Sequence, residues 1–185
     1  MKMAIFGAGG HAKSVFDIIK NTNFILFDEK KKFLKIDHKK IKVSGTLKTI
    51  IKFKKNISKV VVAIGNNNHR KKIYDILKKK KFKFATLIHP RSYFSVGSKC
   101  KEGSMIMQGS FINTDSKIGK NCIINSNVSI DHDCIIKDHT HISPGVVIAG
   151  NVIVGENCWI GLGVKIIENC VIGDNVFVAA GAVVT

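Results

Sequence analysis

The chain has 185 residues, 45% of them apolar, which suits one compact domain or two small ones and excludes a disordered segment. Thirty Lys and Arg against 13 Asp and Glu leave a formal net charge of +17, which points to anionic partners without choosing among them. No run approaches the ~18 apolar residues of a membrane span, and glycines interrupt the short apolar start MKMAIFGAGGHAKS, so a cytoplasmic protein without a membrane span is expected.

The first half reads as a small α/β unit. Lys2 to Phe6 is an apolar strand, followed by the glycine turn Gly7-Ala8-Gly9-Gly10-His11-Ala12 and a helix from Lys13 to Lys20 through Val15, Ile18 and Ile19. Phe24 to Phe27 is a second strand ending in Asp28, and Lys59 to Ile64 a third ending at Gly65. His69 to Lys80 is a second helix, and Phe84 to Ile88 a last strand before His89-Pro90. Alternating strands and helices predict a parallel sheet with a ligand crevice at the carboxyl ends of its strands.

Gly7-x-Gly9-x-x-Ala12, with Asp28 beyond it, matches a dinucleotide fingerprint, but about 90 residues supply only half of such a fold. The local chemistry survives: glycines let the backbone approach a phosphate, a helix N-terminus stabilises its charge, and Asp28 can accept from a ribose or base. A mononucleotide or nucleotide sugar is expected, with a purely structural turn and NAD as alternatives. The lysines lie in scattered runs such as Lys78 to Lys81, without interleaved aromatics or a nucleic-acid module, so no nucleic acid is expected.

Charge changes character near residue 100: Met1 to Lys99 carries 25 basic and 5 acidic residues, Cys100 to Thr185 carries 5 and 8. The second half is governed by a repeat. Ile or Val occupies 106, 112, 118, 124, 130, 136, 142, 148, 154, 160, 166, 172, 178 and 184, an unbroken six-residue register. Four places after each comes a small or β-branched residue, and the place directly after is often a corner-forming Gly, Ala, Asn, Asp or Ser. Period six fits neither an α-helix nor an antiparallel pair; it fits a parallel β-solenoid with three flat sides per 18-residue coil. The expected domains are 1–90 and 91–185. Cys122, Cys134, Cys158 and Cys170 fall in the small inward column and Cys100 in the Ile/Val column, so all five are expected to be buried, reduced packing thiols.

The start IFGAGGHAKSV, the mid-domain AIGNN, the connector LIHP and the hexads around INSNVSIDHD together resemble the sugar acyltransferases related to sialic acid O-acetyltransferase, and within them the N-acetyltransferases of UDP-4-amino sugars. The resemblance covers essentially the whole chain. It implies a half-Rossmann-like α/β domain followed by a left-handed β-helix, a homotrimer with active sites between neighbouring β-helices, and acetyl-CoA as co-substrate with no metal. It implies His132 as catalytic base, Asp133 beside it, His141 at the donor site, Gly150 as the amide facing the thioester oxygen, and Leu162 and Ala180 as further donor contacts. On the acceptor side it implies Gly9, Gly10, His11, Asp28, Glu29 and Gly65 around a nucleotide sugar, with Asn125 as a further candidate.

Independently of the resemblance, His132 and Gly150 are 18 residues apart, one coil, as are Leu162 and Ala180. A base and an oxyanion donor would then flank one reacting carbon. The expected reaction is N-acetylation of a nucleotide-linked 4-amino sugar. O-acetylation of a sialic acid or related sugar and a non-catalytic nucleotide-sugar-binding protein stay open, as does a metal-dependent hydratase using His132, His139 and His141.

Overall fold

The computed structural model describes residues 1–19 and 21–185; Lys20, the expected end of the first helix, lies outside them. The chain forms two compact units, Met1–Ala85 and Thr86–Thr185.

The first unit runs β1 (Lys2–Phe6), α1 (Gly10–Ile19), β2 (Phe24–Phe27), β3 (Phe33–Ile36), β4 (Lys39–Lys42), α2 (Leu47–Lys52), β5 (Ile57–Val62) and α3 (Asn67–Lys79). The parallel sheet has the order β2-β1-β5. Ala4, Ile5 and Phe6 of the central strand are buried on both faces, the pattern of a parallel strand covered on both sides. Ala4, Phe6, Val60 and Val62 pack with Ile73 and Leu77 of α3 and Ile50 of α2.

Several boundaries differ from the sequence expectation. Helix α1 begins at Gly10, because the glycine turn is finished by Gly9 and Gly10-His11-Ala12 already wind the first helical turn. Strand β5 and helix α3 each start two residues early. The β3–β4 hairpin and α2 were not anticipated: Lys39, Lys40 and Lys42 show no apolar alternation, and of β3 only Leu34 is buried. The expected strand Phe84 to Ile88 divides. Ala85 N–H still donates to Val60 O, whereas Leu87 N–H donates to Ser104 O, so Leu87–Ile88 belongs to the second unit and not to the first.

The second unit is a left-handed parallel β-helix. Two-residue strands stack into three parallel sheets. The first face contains Met105–Ile106, Ile123–Ile124, His141–Ile142, Trp159–Ile160 and Phe177–Val178; the second, Phe111–Ile112, Ser129–Ile130, Val147–Ile148 and Lys165–Ile166; the third, Lys117–Ile118, Ile135–Ile136, Ile153–Val154 and Val171–Ile172. Partners are 18 residues apart, as in Ile112 with Ile130 and Ile130 with Ile148. The Ile/Val column points inward and is at most 3% exposed from Ile106 to Ile166. Each such side chain contributes roughly 1.5–3 kcal/mol of transfer free energy.

The small inward column has a second task. Its hydroxyls and thiols donate to the carbonyl fifteen residues on: Ser104 to Gly119 (2.6 Å), Ser116 to Asp131 (2.6 Å), Cys134 to Ala149 (3.1 Å) and Thr140 to Gly155 (2.7 Å). Corner carbonyls that leave the ladder are thereby satisfied inside the prism. All five cysteines are free, with Cys122, Cys134 and Cys158 buried but Cys100 and Cys170 only partly, since both lie toward the ends of the stack. Burial raises the thiol pKa of Cys134 and Cys158 and pushes Cys100 to about 12, which keeps these sulfurs protonated.

Corner geometry corrects one detail. The left-handed residue comes three places after each inward Ile or Val, not directly after it: Gly109, Asp115, Asn121, Asn127, Asp133, His139, Gly145, Asn151 and onward to Gly181 all have φ between 53° and 73°. Gly, Asn and Asp tolerate this region, and His enters it more readily than most residues.

Candidate functional site

His132 stands at the corner between the second and third faces, where the chain leaves strand Ser129–Ile130. Its ring is 57% exposed, so packing alone does not fix it. Two neighbours do. Asp133 Oδ2 lies 2.8 Å from His132 Nδ1, which turns Nε2 away from the carboxylate. One coil on, a Cβ built on Gly150 would lie 2.7 Å from His132 Cε1 and 2.8 Å from Nε2, so the ring rests on a glycine that has no room for a side chain. The ladder donors beside it are Ala149 to Ile166 O and Asn151 to His132 O, leaving the Gly150 N–H outside the ladder.

The Asp133 hydrogen bond raises the His132 pKa above its ordinary value; desolvation acts against it, and the charges of Asp131 and Asp133 add to the rise. Asp131 is held below the usual carboxylate range, first by the backbone N–H of His132 and then by Asn113. The corner therefore presents an imidazole with one nitrogen tied to a carboxylate and the other free to take a proton.

The other solenoid candidates occupy different edges. His141 faces outward on the first sheet, buried, with Asn125 Nδ2 3.2 Å from its Nε2 and the Trp159 ring 4.9 Å away. Asn125 also accepts from Ser126 N–H at 2.8 Å. Leu162, 58% exposed, and Ala180 sit one coil apart at the corner between the first and second faces, where Gly181 N–H donates to Leu162 O. That corner carries the exposed Gly163, Ala179 and Gly181, which leaves its main chain accessible along two coils, while Gly161 is buried against Val178 and Ala180. A single chain thus unites His132, Asp133 and Gly150, and separately Asn125 with His141, but sets the two groups on different edges of the prism. His139 is buried at a left-handed corner with Asn121 Nδ2 2.8 Å from its Nδ1. Among the described residues no three His, Cys, Asp or Glu side chains are grouped to hold a metal ion.

In the first unit a cavity of about 310 Å³ opens at the carboxyl ends of β1, β2 and β5, lined by Gly9, Gly10, His11, Asp28, Glu29 and Gly65 among others. Gly7 has φ 116°, and a Cβ there would meet Ala63 O at 2.7 Å, so the fold itself requires this glycine. Gly9 and Gly10 differ: nothing lies within 4 Å of a Cβ at either, so the space they leave open belongs to the cavity. Asp28 is less available than expected. Its Oδ2 accepts from Ala8 N–H (2.7 Å) and its Oδ1 from Lys30 and Lys31 N–H (2.8 Å each). Burial would raise its pKa, but these three donors and the Lys31 charge outweigh that and keep it low. Glu29 Oε1 accepts from Leu47 N–H at the start of α2, leaving the other carboxylate oxygen to the cavity.

Arg70, which the sequence reading missed, is fully buried below this cavity and donates to Ile64 O, Gly65 O and Asn67 Oδ1. A buried guanidinium beside two helix N-termini makes the cavity floor electropositive, the field an anionic phosphate needs. It was hidden because a single Arg among lysines in a helical stretch carries no signal.

His11 Nε2 is buried without a hydrogen-bond partner among the described residues, and burial, then the charge of Arg70, lower its pKa from 6.5 to about 4. The unfolded chain then binds more protons than the folded one between these values, so stability is full above about pH 6.5 and falls as pH drops toward 4. Denaturant midpoints of the full chain against pH should show this slope, and His11→Gln should flatten it; an unchanged slope would clear His11 of the effect.

Both units resemble known proteins. Residues 2–77 match the family model described as the PglD N-terminal domain, and residues 96–185 that described as the GMPPB C-terminal domain. The chain is 34% identical over 111 residues to UDP-N-acetylbacillosamine N-acetyltransferase of Bacillus subtilis, a stretch covering 57% of this chain and half the length of that relative. PerB of Caulobacter crescentus, solved with CoA and GDP-perosamine, superposes with a TM-score of 0.93 at 32% identity, covering 100% of this chain and 89% of that one. The acetyltransferase domain of PglB from Neisseria gonorrhoeae, solved with acetyl coenzyme A, gives 0.90 at 28% identity over 99% of this chain and 92% of that one. With an α/β unit of this type joined to an 18-residue solenoid, and full-length similarity to such enzymes, the chain belongs to the hexapeptide-repeat sugar acetyltransferases.

Proposed function

We propose that this protein transfers the acetyl group of acetyl-CoA to the amino group of a nucleotide-linked 4-amino sugar, with His132 as general base. The observation that carries this reading is the packing of the His132 ring on Gly150 with Asp133 on its far nitrogen. Nε2 of His132 takes the proton from the attacking amine, Asp133 stabilises the imidazolium through Nδ1–H, and the Gly150 N–H donates to the oxygen that becomes negative at the acetyl carbon. When that centre collapses the thiolate of CoA leaves. No covalent enzyme intermediate is needed, in keeping with the raised thiol pKa of Cys100, Cys134 and Cys158.

The nucleotide sugar binds at the glycine turn, its phosphates over Gly9 and Gly10 and near the buried charge of Arg70. His141, Leu162 and Ala180 hold the donor. Because these lie on other edges of the prism than His132, the working site takes its base from one copy and its donor contacts from another, as in a trimer of parallel β-helices. The enzyme works in the cytoplasm, where thiols stay reduced. Mass spectrometry after incubation with acetyl-CoA and a panel of nucleotide-linked amino and hydroxy sugars tests the reading. A gain of one acetyl group on an amino sugar supports it; acetylation of hydroxyl acceptors alone, or of none, overturns it.

A further inference from the structure

His132 is flanked by two carboxylates, and both are hung on the preceding coil. Asp131 Oδ1 accepts the backbone N–H of His132 at 2.8 Å and the side-chain Nδ2 of Asn113 at 2.7 Å. Asn113 is fixed at its other end, where its Oδ1 accepts Thr114 N–H at 2.8 Å. Asp133 N–H donates to Thr114 O at 3.1 Å. The pair Asn113-Thr114 therefore grips the turn at residues 131 and 133, and the left-handed corner at Asp133 carries the carboxylate that meets the ring. The same device appears at the corner of Asn125, whose Oδ1 accepts the next amide while its Nδ2 lies by His141.

We propose that Asn113 is a positioning residue for the base: through Asp131 it sets the turn that aims the His132 ring at the acceptor. The inference rests on the reading of His132 as base for its catalytic meaning, and on the hydrogen bonds alone for its structural one. A ring more than half exposed has few packing contacts to hold it, so its aim depends on this turn. Misplacing a catalytic group by about 1 Å can cost a hundredfold in rate. The charged groups that act on the ring are Asp131 and Asp133 on its own turn, and the following coil offers the uncharged Gly150 and Asn151.

Asn113→Ala should lower kcat about ten- to a hundredfold while KM for both substrates changes little. Asn113→Asp keeps an acceptor for Thr114 N–H but sets a carboxylate oxygen against Asp131 Oδ1 where the donor stood, so it should lose at least as much. A kcat within twofold of the parent for either variant overturns the inference. In the full chain labelled with ¹⁵N-histidine, the Nδ1–H signal of His132, identified by its absence in His132→Ala, should exchange faster with water in both variants. An unchanged signal overturns the positioning role whether or not the protein proves to acetylate sugars, whereas an inactive parent chain with the altered signal overturns only the proposed function.

Discussion

Replacing His132 by Ala is expected to cut the rate of acetyl transfer by about two to four decades while leaving the fold intact, since the side chain is more than half exposed and supports no core contact. Circular dichroism would verify the fold and single-turnover kinetics the loss; full activity in a folded variant removes His132 from the chemistry. The companion measurement is the pH profile of kcat/KM. A base works deprotonated, so a raised imidazole pKa moves the acid limb above the ordinary histidine position, and activity falls as pH drops through it. Asp133→Asn keeps a residue that accepts the left-handed backbone but deletes the charge and the principal cause of the rise. The limb should then move to lower pH and the plateau fall, because the ring is less firmly held and its cation less stabilised. A limb that stays in place would show that Asp133 does not tune the base.

The second large effect is expected at Gly150. A methyl group there would stand 2.7–2.8 Å from two ring atoms of His132, inside van der Waals contact, so Gly150→Ala must move the imidazole or the turn beneath it. The backbone of Gly150 is not left-handed, so alanine meets no conformational penalty and the change acts through the ring alone. About a hundredfold loss of kcat with nearly unchanged thermal midpoint is the expected outcome. Retained activity would mean that the ring does not work in its packed position; a collapse in stability would mean the glycine serves the coil and not the base.

How much of this was legible in the residues depends on the range of the interaction. The Ile/Val column was readable from Ile106 to Val184 because each member makes the same contact with residues 18 away, and repetition supplies the evidence that one position lacks. The stacking of Gly150 on His132 followed from the same arithmetic. What the column did not give was the left-handed position, since Asn, Asp and Gly also occur elsewhere on the turns and only the coordinates show which of them bends the chain. In the α/β unit β1 and β2 were legible, but Asp28 was read as a ligand acceptor when its carboxylate mostly serves Ala8, Lys30 and Lys31. Glycine spacing could not separate Gly7, required by the close approach of Ala63, from Gly9 and Gly10, which leave space for a ligand. Arg70 and Asn113 were invisible for a common reason: each matters through the backbone it holds, and no local pattern marks such a role.

The periodic left-handed corner restricts which length changes this half of the chain can absorb. Loss of one residue just before Asn151 would bring Val152 to a position with φ near 57°, where a β-branched side chain is severely crowded, and every later corner would be out of phase as well. Excision of residues 151–168 would instead splice Asn169, Cys170, Val171 and Ile172 into the places of Asn151, Val152, Ile153 and Val154, asparagine onto asparagine and apolar onto apolar. Growth and shortening of such a rod can therefore proceed in whole turns, which lets its length vary while the corner that carries His132 stays as it is.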